Sequence, residues 1–126
     1  MRIRVFGKIN PIEDMYYSTT LHLTQSQDVE LELDLNEIPE DDSWILYYDD
    51  YIGNILNLYK KIEKHLEKTL ASKYRNRKRK LTNIVFSPCS YDFACWYFDY
   101  VDCDDYEHPM IVVTTDEEGN IIELEY

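Results

Sequence analysis

A chain of 126 residues with a formal net charge of −12, 44% hydrophobic and 30% charged residues, has the composition of a globular domain, not of a disordered segment. Three glycines and four prolines leave little room for a flexible linker, so residues 1–126 are expected to form a single domain around one core. The segment "MRIRVFGKINP" has no apolar stretch of the roughly 7 to 15 residues that an export signal needs. Nowhere do about 18 apolar residues run together, and the three cysteines form an odd set, so the expectation is a cytoplasmic protein with reduced thiols and no membrane span.

The first third has the period of strands. Ile3, Val5 and Ile9 alternate with Arg2, Arg4 and Lys8, and Val29, Leu31, Leu33 and Leu35 alternate with Glu30, Glu32 and Asp34, each pattern presenting one apolar face. "YYSTTLHL" between them alternates less cleanly, "NPIED" supplies a turn, and Pro39 with Glu40, Asp41 and Asp42 closes the third strand. From about Trp44 to Lys73 the period becomes helical, with Ile45, Tyr48, Ile52, Ile55, Leu56, Tyr59, Ile62, Leu66 and Leu70 at spacings of three and four. Ser43, Asp49 and Asp50 are candidate N-caps, and Gly53 marks a point where a short first segment could separate from a long second one. Strand signals then return in "NIVFS", "YDFACWYFDYV", "MIVVTT" and "IIELEY", the last two joined by "DEEGN" as a hairpin loop. The fold class expected is α+β: a largely antiparallel sheet of about six strands with one long amphipathic helix packed across it.

Charge is strongly segregated along the chain. Residues 60 to 80, which include "KYRNRKRK", hold ten of the 13 Lys and Arg residues against Glu63 and Glu67, a net of +8 that leaves −20 on the rest. Lys60, Lys64 and Lys68 stand at successive i, i+4 positions, where like charges cost about 0.2 to 0.5 kcal/mol per pair. Together with Arg75, Arg77, Lys78, Arg79 and Lys80 they define a basic patch, read as a solvated helix end favoured by the helix macrodipole or as a contact for an acidic surface. Direct nucleic-acid binding through it is disfavoured by the acidic field of the whole molecule and by the absence of a recognisable binding module.

At the opposite pole, residues 92 to 107 carry six acids and no base among a concentration of aromatics. As a strand this stretch puts Phe93, Cys95, Tyr97, Asp99 and Val101 on one side and Ala94, Trp96, Phe98, Tyr100 and Asp102 on the other. Such a strand is either central and covered on both faces or part of an interface in which Trp96 or Tyr100 anchors a partner that Asp99, Asp102, Asp104 and Asp105 steer. Twelve tyrosines, each with an apolar body and a polar tip, suit a surface wet when free and buried when bound.

Catalytic and metal chemistry finds no support in the spacing. Cys89, Cys95, Cys103 and His108 include no close cysteine pair of the kind structural zinc sites use, His22 and His65 are lone histidines at surface positions, and three scattered glycines build no phosphate loop. Neither an enzyme nor a cofactor is expected.

The aromatic and acidic strand "YDFACWYFDYVDCDD" followed by "MIVVTTDEEGNIIELEY" resembles the closing hairpin of small acidic immunity proteins of bacterial toxin and contact-dependent inhibition systems. That resemblance implies an inhibitor that binds and blocks a basic protein, such as a nuclease-like toxin. A phage-type anti-defence protein acting as a nucleic-acid mimic is the alternative with the same physics. Opposite charge poles on one chain also lead to an expectation of weak, salt-sensitive self-association.

Overall fold

The computed structural model describes residues 1–36, 42–71, 75, 77–88, 90–101 and 110–126. The amino-terminal strand expected from Arg2 to Ile9 is instead a small hairpin of β1 (Arg2–Ile3) and β2 (Gly7–Lys8). Ile3 and Ile9 are buried as their period predicts, but Val5 turns the chain at φ 71°, with Phe6 N donating to Arg4 O at 2.9 Å, and is left exposed. A β-branched residue at positive φ is strained. The helix layer holds it there: Tyr48 Oη donates to Arg4 O at 2.6 Å, and Arg4 Nε pairs with Asp49 at 3.1 Å.

β3 (Tyr16–Thr24) and β4 (Gln27–Asp34) form an antiparallel hairpin. Two helices follow, α1 (Ser43–Gly53) and α2 (Ile55–Thr69), in place of one long helix. The break falls at Asn54, beside the glycine that marked it, and the hydrogen bonds continue through it: Asn54 N donates to Asp50 O at 3.2 Å and Leu58 N to Asn54 O at 3.0 Å. α2 ends at Thr69, short of the expected end near Lys73, because Leu70 turns to extended backbone (φ −67°, ψ 141°); Ser72 and Lys73 lie outside the described residues. β5 (Arg79–Phe86), β6 (Ala94–Tyr100), β7 (Met110–Thr115) and β8 (Ile121–Glu125) complete a sheet whose strand order is the sequence order, β3 to β8. Every pairing is antiparallel except β4 with β5, which is parallel because the helices make a crossover between them. No helix among the described residues is long and apolar enough to cross a membrane.

Both helices bury their apolar stripes on one side of the sheet. Trp44, Tyr48, Tyr51, Ile55, Leu58, Ile62 and Leu66 meet Val29, Leu31, Leu33, Leu81, Ile84, Phe86, Trp96, Phe98, Ile111 and Val113 in a single buried cluster. Each fully buried aliphatic or aromatic side chain contributes about 1.5 to 3 kcal/mol relative to exposure. Inside this cluster Trp96 Nε1 donates to Tyr51 Oη at 2.8 Å, and Tyr51 Oη lies 2.6 Å from Thr115 Oγ1, so these three buried polar groups satisfy one another.

Candidate functional site

Among the described residues, no helix lies on the other side of the sheet. Alternation and register place Tyr16, Ser18, Thr20 and His22 of β3 on it, then Asp28, Glu30, Glu32 and Asp34 of β4, Asn83 and Val85 of β5, Cys95, Tyr97 and Asp99 of β6, Met110 and Val112 of β7, and Glu123 and Glu125 of β8. The two stretches with acids on their polar positions, "VELELDL" and "IIELEY", therefore flank a strip of low charge. At its centre Glu32, Asn83, Val85, Tyr97 and Met110 line an open depression of about 300 Å³.

The acidic rim is partly tied down. Asn83 Nδ2 donates to Glu32 Oε2 at 3.2 Å, Ser18 Oγ donates to Glu30 Oε1 at 2.7 Å, and His22 Nδ1 lies 2.5 Å from Asp28 Oδ1. Tyr16 Oη donates to the other oxygen of Glu32, and that hydrogen bond, with desolvation and the charges of Glu32, Glu30 and Asp34, pushes the Tyr16 phenol up to about 12. Burial, aided by neighbouring anionic groups, raises the Tyr97 phenol and the Cys95 thiol. On β8 the hydrogen bond to Glu125 and its charge raise the carboxyl of Glu123, the signature of two acids sharing one exposed spot. Each of these groups is thus biased toward its neutral form by surrounding negative charge or by burial.

The residues expected to bind a partner are divided by this arrangement. Trp96 is 0% exposed and Tyr100 is 9% exposed, both on the helix side of β6, so neither is presented as an anchor; the indole is committed to Tyr51. Asp99 does face the open side, opposite Lys80 of β5 in the register. Asp102, Asp104 and Asp105 lie outside the described residues, as do Cys89, Cys103 and His108. Of the expected coverage of β6 on both faces, the described residues supply the helix side, where both helices lie, and leave Cys95, Tyr97 and Asp99 half-buried on the other. Among the described residues no group of three or more His, Cys, Asp or Glu side chains is placed to hold a metal ion.

The basic block is not a continuous helix end. Arg75 Nη2 donates to Leu70 O at 3.2 Å, at the carbonyl end of α2, and the Arg77 guanidinium sits 5.9 Å from the centre of the Tyr100 ring. Arg79 belongs to β5 and is 8% exposed, with Nη2 donating to Glu63 Oε2 at 2.7 Å. Lys78 and Lys80 remain exposed. Lys60, Lys64 and Lys68 are exposed along α2, on the side away from Ile55, Leu58, Ile62 and Leu66.

Glu30, Glu32, Asp34, Glu123, Glu125 and Tyr97 were not singled out by the sequence pattern as a joint site. Their signal was the polar half of two alternating strands, which shows its meaning only once both strands lie in one sheet with the helices behind it. Comparison with protein-family models, with curated proteins and with solved structures found no match for this chain.

Proposed function

We propose that this chain is an acidic binding protein of the inhibitor or immunity kind, which blocks a basic protein such as a nuclease-like toxin by presenting the open face of its sheet. One observation carries this reading: carboxylates of β4 and β8 border a half-exposed strip containing Val85, Tyr97, Val112 and Met110, and Lys80 is the single Lys or Arg among the described strand residues on that face. A centre of low charge with an aromatic, inside a charged rim, is the anatomy of a protein interface, and a field of one sign speeds encounter with a partner of the other. Binding, without catalysis, is the activity assigned. The acids nominated in the sequence at Asp99 belong to the same face; those at Asp102, Asp104 and Asp105 extend the proposal beyond the described residues.

The test is surface plasmon resonance against purified basic nuclease domains at about 20 mM and 500 mM salt, a span over which the screening length falls severalfold. We expect association with a cognate domain to slow at high salt, inhibition of its nuclease activity, and loss of both in a variant carrying Glu30→Lys, Glu32→Lys, Glu123→Lys and Glu125→Lys. Binding of a basic domain at an unchanged rate by that variant would remove the open face from the interface.

A further inference from the structure

On the helix side, α2 and β8 enclose a groove of about 460 Å³ lined by Lys60, Lys61, Lys64, His65 and Lys68, with Ile121 of β8 as its apolar wall. Among the described residues no carboxylate lines it. Two nearby acids are held by other groups, Glu63 by Arg79 and Asp116 in the β7–β8 loop by the backbone amides of Glu118 at 3.0 Å and Asn120 at 2.8 Å, although the Asp116 charge is also felt by Lys61; Glu67 stands exposed on α2 and does not line the groove. Glu123 and Glu125 stand on the other face of the sheet. Among the described residues Lys60, Lys64 and Lys68 make no ion pair, while Lys61 is fixed by donating from Nζ to Gly119 O at 3.0 Å. The chain thus keeps four ammonium groups together along one concave surface at a cost in mutual repulsion, in a protein whose net charge is −12.

The spacing selects the ligand. Four residues of helix rise about 6 Å, so Lys60 to Lys68 span about 12 Å. A lone phosphate would meet only part of that row, whereas linked phosphates can engage it along its length. A long nucleic acid would meet the acidic field of the rest of the molecule, and among the described residues the groove has no aromatic side chain on which a base could stack. We propose that the α2–β8 groove binds a short oligophosphate chain, either free or carried by a nucleotide. The site lies on the opposite layer from the open acidic face and stands independently of the inhibitor reading.

Isothermal titration of the whole protein with inorganic tripolyphosphate, ATP and sulfate at matched ionic strength tests this, with amide NMR shifts followed at Asn57, Lys61 and Ile121. Tripolyphosphate is expected to bind one to one and tighter than sulfate, with shifts confined to the groove. The variant Lys60→Gln, Lys64→Gln, Lys68→Gln, which alters only exposed positions, should weaken binding about tenfold or more, equivalent to about 1.4 kcal/mol. Lys78→Gln with Lys80→Gln, an equal kind of change outside the groove, should leave binding within about twofold. Equal affinity for ATP and tripolyphosphate supports recognition of the phosphate chain alone, and tighter ATP binding supports a nucleotide as its source. Unweakened binding by the triple variant, tripolyphosphate binding no tighter than sulfate, or binding of single-stranded RNA only would overturn the proposal.

Discussion

Replacing Glu63 by glutamine should destabilise the protein far more than replacing its partner Arg79 by methionine. The guanidinium is 8% exposed and its Nε has no hydrogen-bond partner among the described residues, so the Glu63 carboxylate at 2.7 Å is its principal source of compensation. Breaking a fully buried pair by removing one member costs about 3 to 5 kcal/mol, because an uncompensated charge stays behind. Glu63 is 27% exposed, so water can reach the site and lowers the expected cost of Glu63→Gln to about 2 to 3 kcal/mol. Arg79→Met keeps most of the packing volume and leaves a carboxylate that can turn to solvent, which brings its cost to within about 1 kcal/mol. In urea, with a slope of about 2 kcal/mol/M for a domain of this size, the first variant should lower the midpoint by about 1 M or more and the second by less than half of that. The double variant should resemble Arg79→Met alone, because the charge that made the first change costly is gone. Equal losses in the two single variants, or a Glu63→Gln variant within about 0.5 kcal/mol of the parent, would refute the view that this pair exists to satisfy a nearly buried arginine.

Tyr51→Phe removes the hydroxyl shared by Trp96 and Thr115 and should cost about 1 to 3 kcal/mol by chemical denaturation, since a buried indole N–H loses its acceptor. Gly119→Ala should lower Tm by about 10 °C, because the residue sits at φ +84° and an added Cβ would stand 2.4 Å from Leu58 Cδ2. Burial raises the Tyr51 phenol from 10.0 to about 12 and raises that of Tyr48 as well. Their folded-state values lie above the unfolded ones, so the stability they confer is complete below pH 10 and is lost as the pH climbs from 10 through about 12; denaturation midpoints and tyrosinate absorbance across that window check it. Glu123 takes up its proton at a higher pH than an ordinary glutamate, so affinity for a basic partner should begin to fall above the usual glutamate range as the solution is acidified, and Glu123→Gln should remove that early phase in binding titrations.

The sequence made the sheet legible where period and turn chemistry agreed. "VELELDL" became β4 with its expected apolar side inward, "IIELEY" became β8 with Leu124 inward as expected but Ile121 packing on the core in place of Ile122 and Tyr126 exposed, and "DEEGN" closed the last hairpin. The amino-terminal segment misled because its alternation ignores the dihedral angle of Val5, which is imposed by Tyr48 and Asp49, more than 40 positions away. Trp96 misled for a related reason. An aromatic-rich strand looks the same whether its rings face a core or a partner, and only the helices on one side decide that Phe98 and Trp96 are buried while Tyr97 is half exposed. The basic block was legible as charge but not as structure: three of its arginines find intramolecular partners, at Leu70 O, the Tyr100 ring and Glu63, and none of these is visible from local spacing.

The polarity of the molecule follows from the crossover between β4 and β5. Because that connection is helical, it must lie on one face of the sheet, and since α1 and α2 belong to the same crossover, both cover the same face. The lysines of α2 consequently lie on the helix side of the sheet, and the polar halves of β4 and β8 point away on the other. Sheet and helix thickness keep the two sets of charges apart by more than a screening length of about 8 Å, so they do not neutralise each other in physiological salt. On the acidic face, hydrogen bonds and the charge of neighbouring acids push the Tyr16 phenol and the Glu123 carboxyl up, and like charges close together raise the energy of the free protein. A cationic partner on the sheet relieves that repulsion and so does an anion in the α2 groove, each at its own face, which is why the two proposed sites can be occupied together and titrated separately.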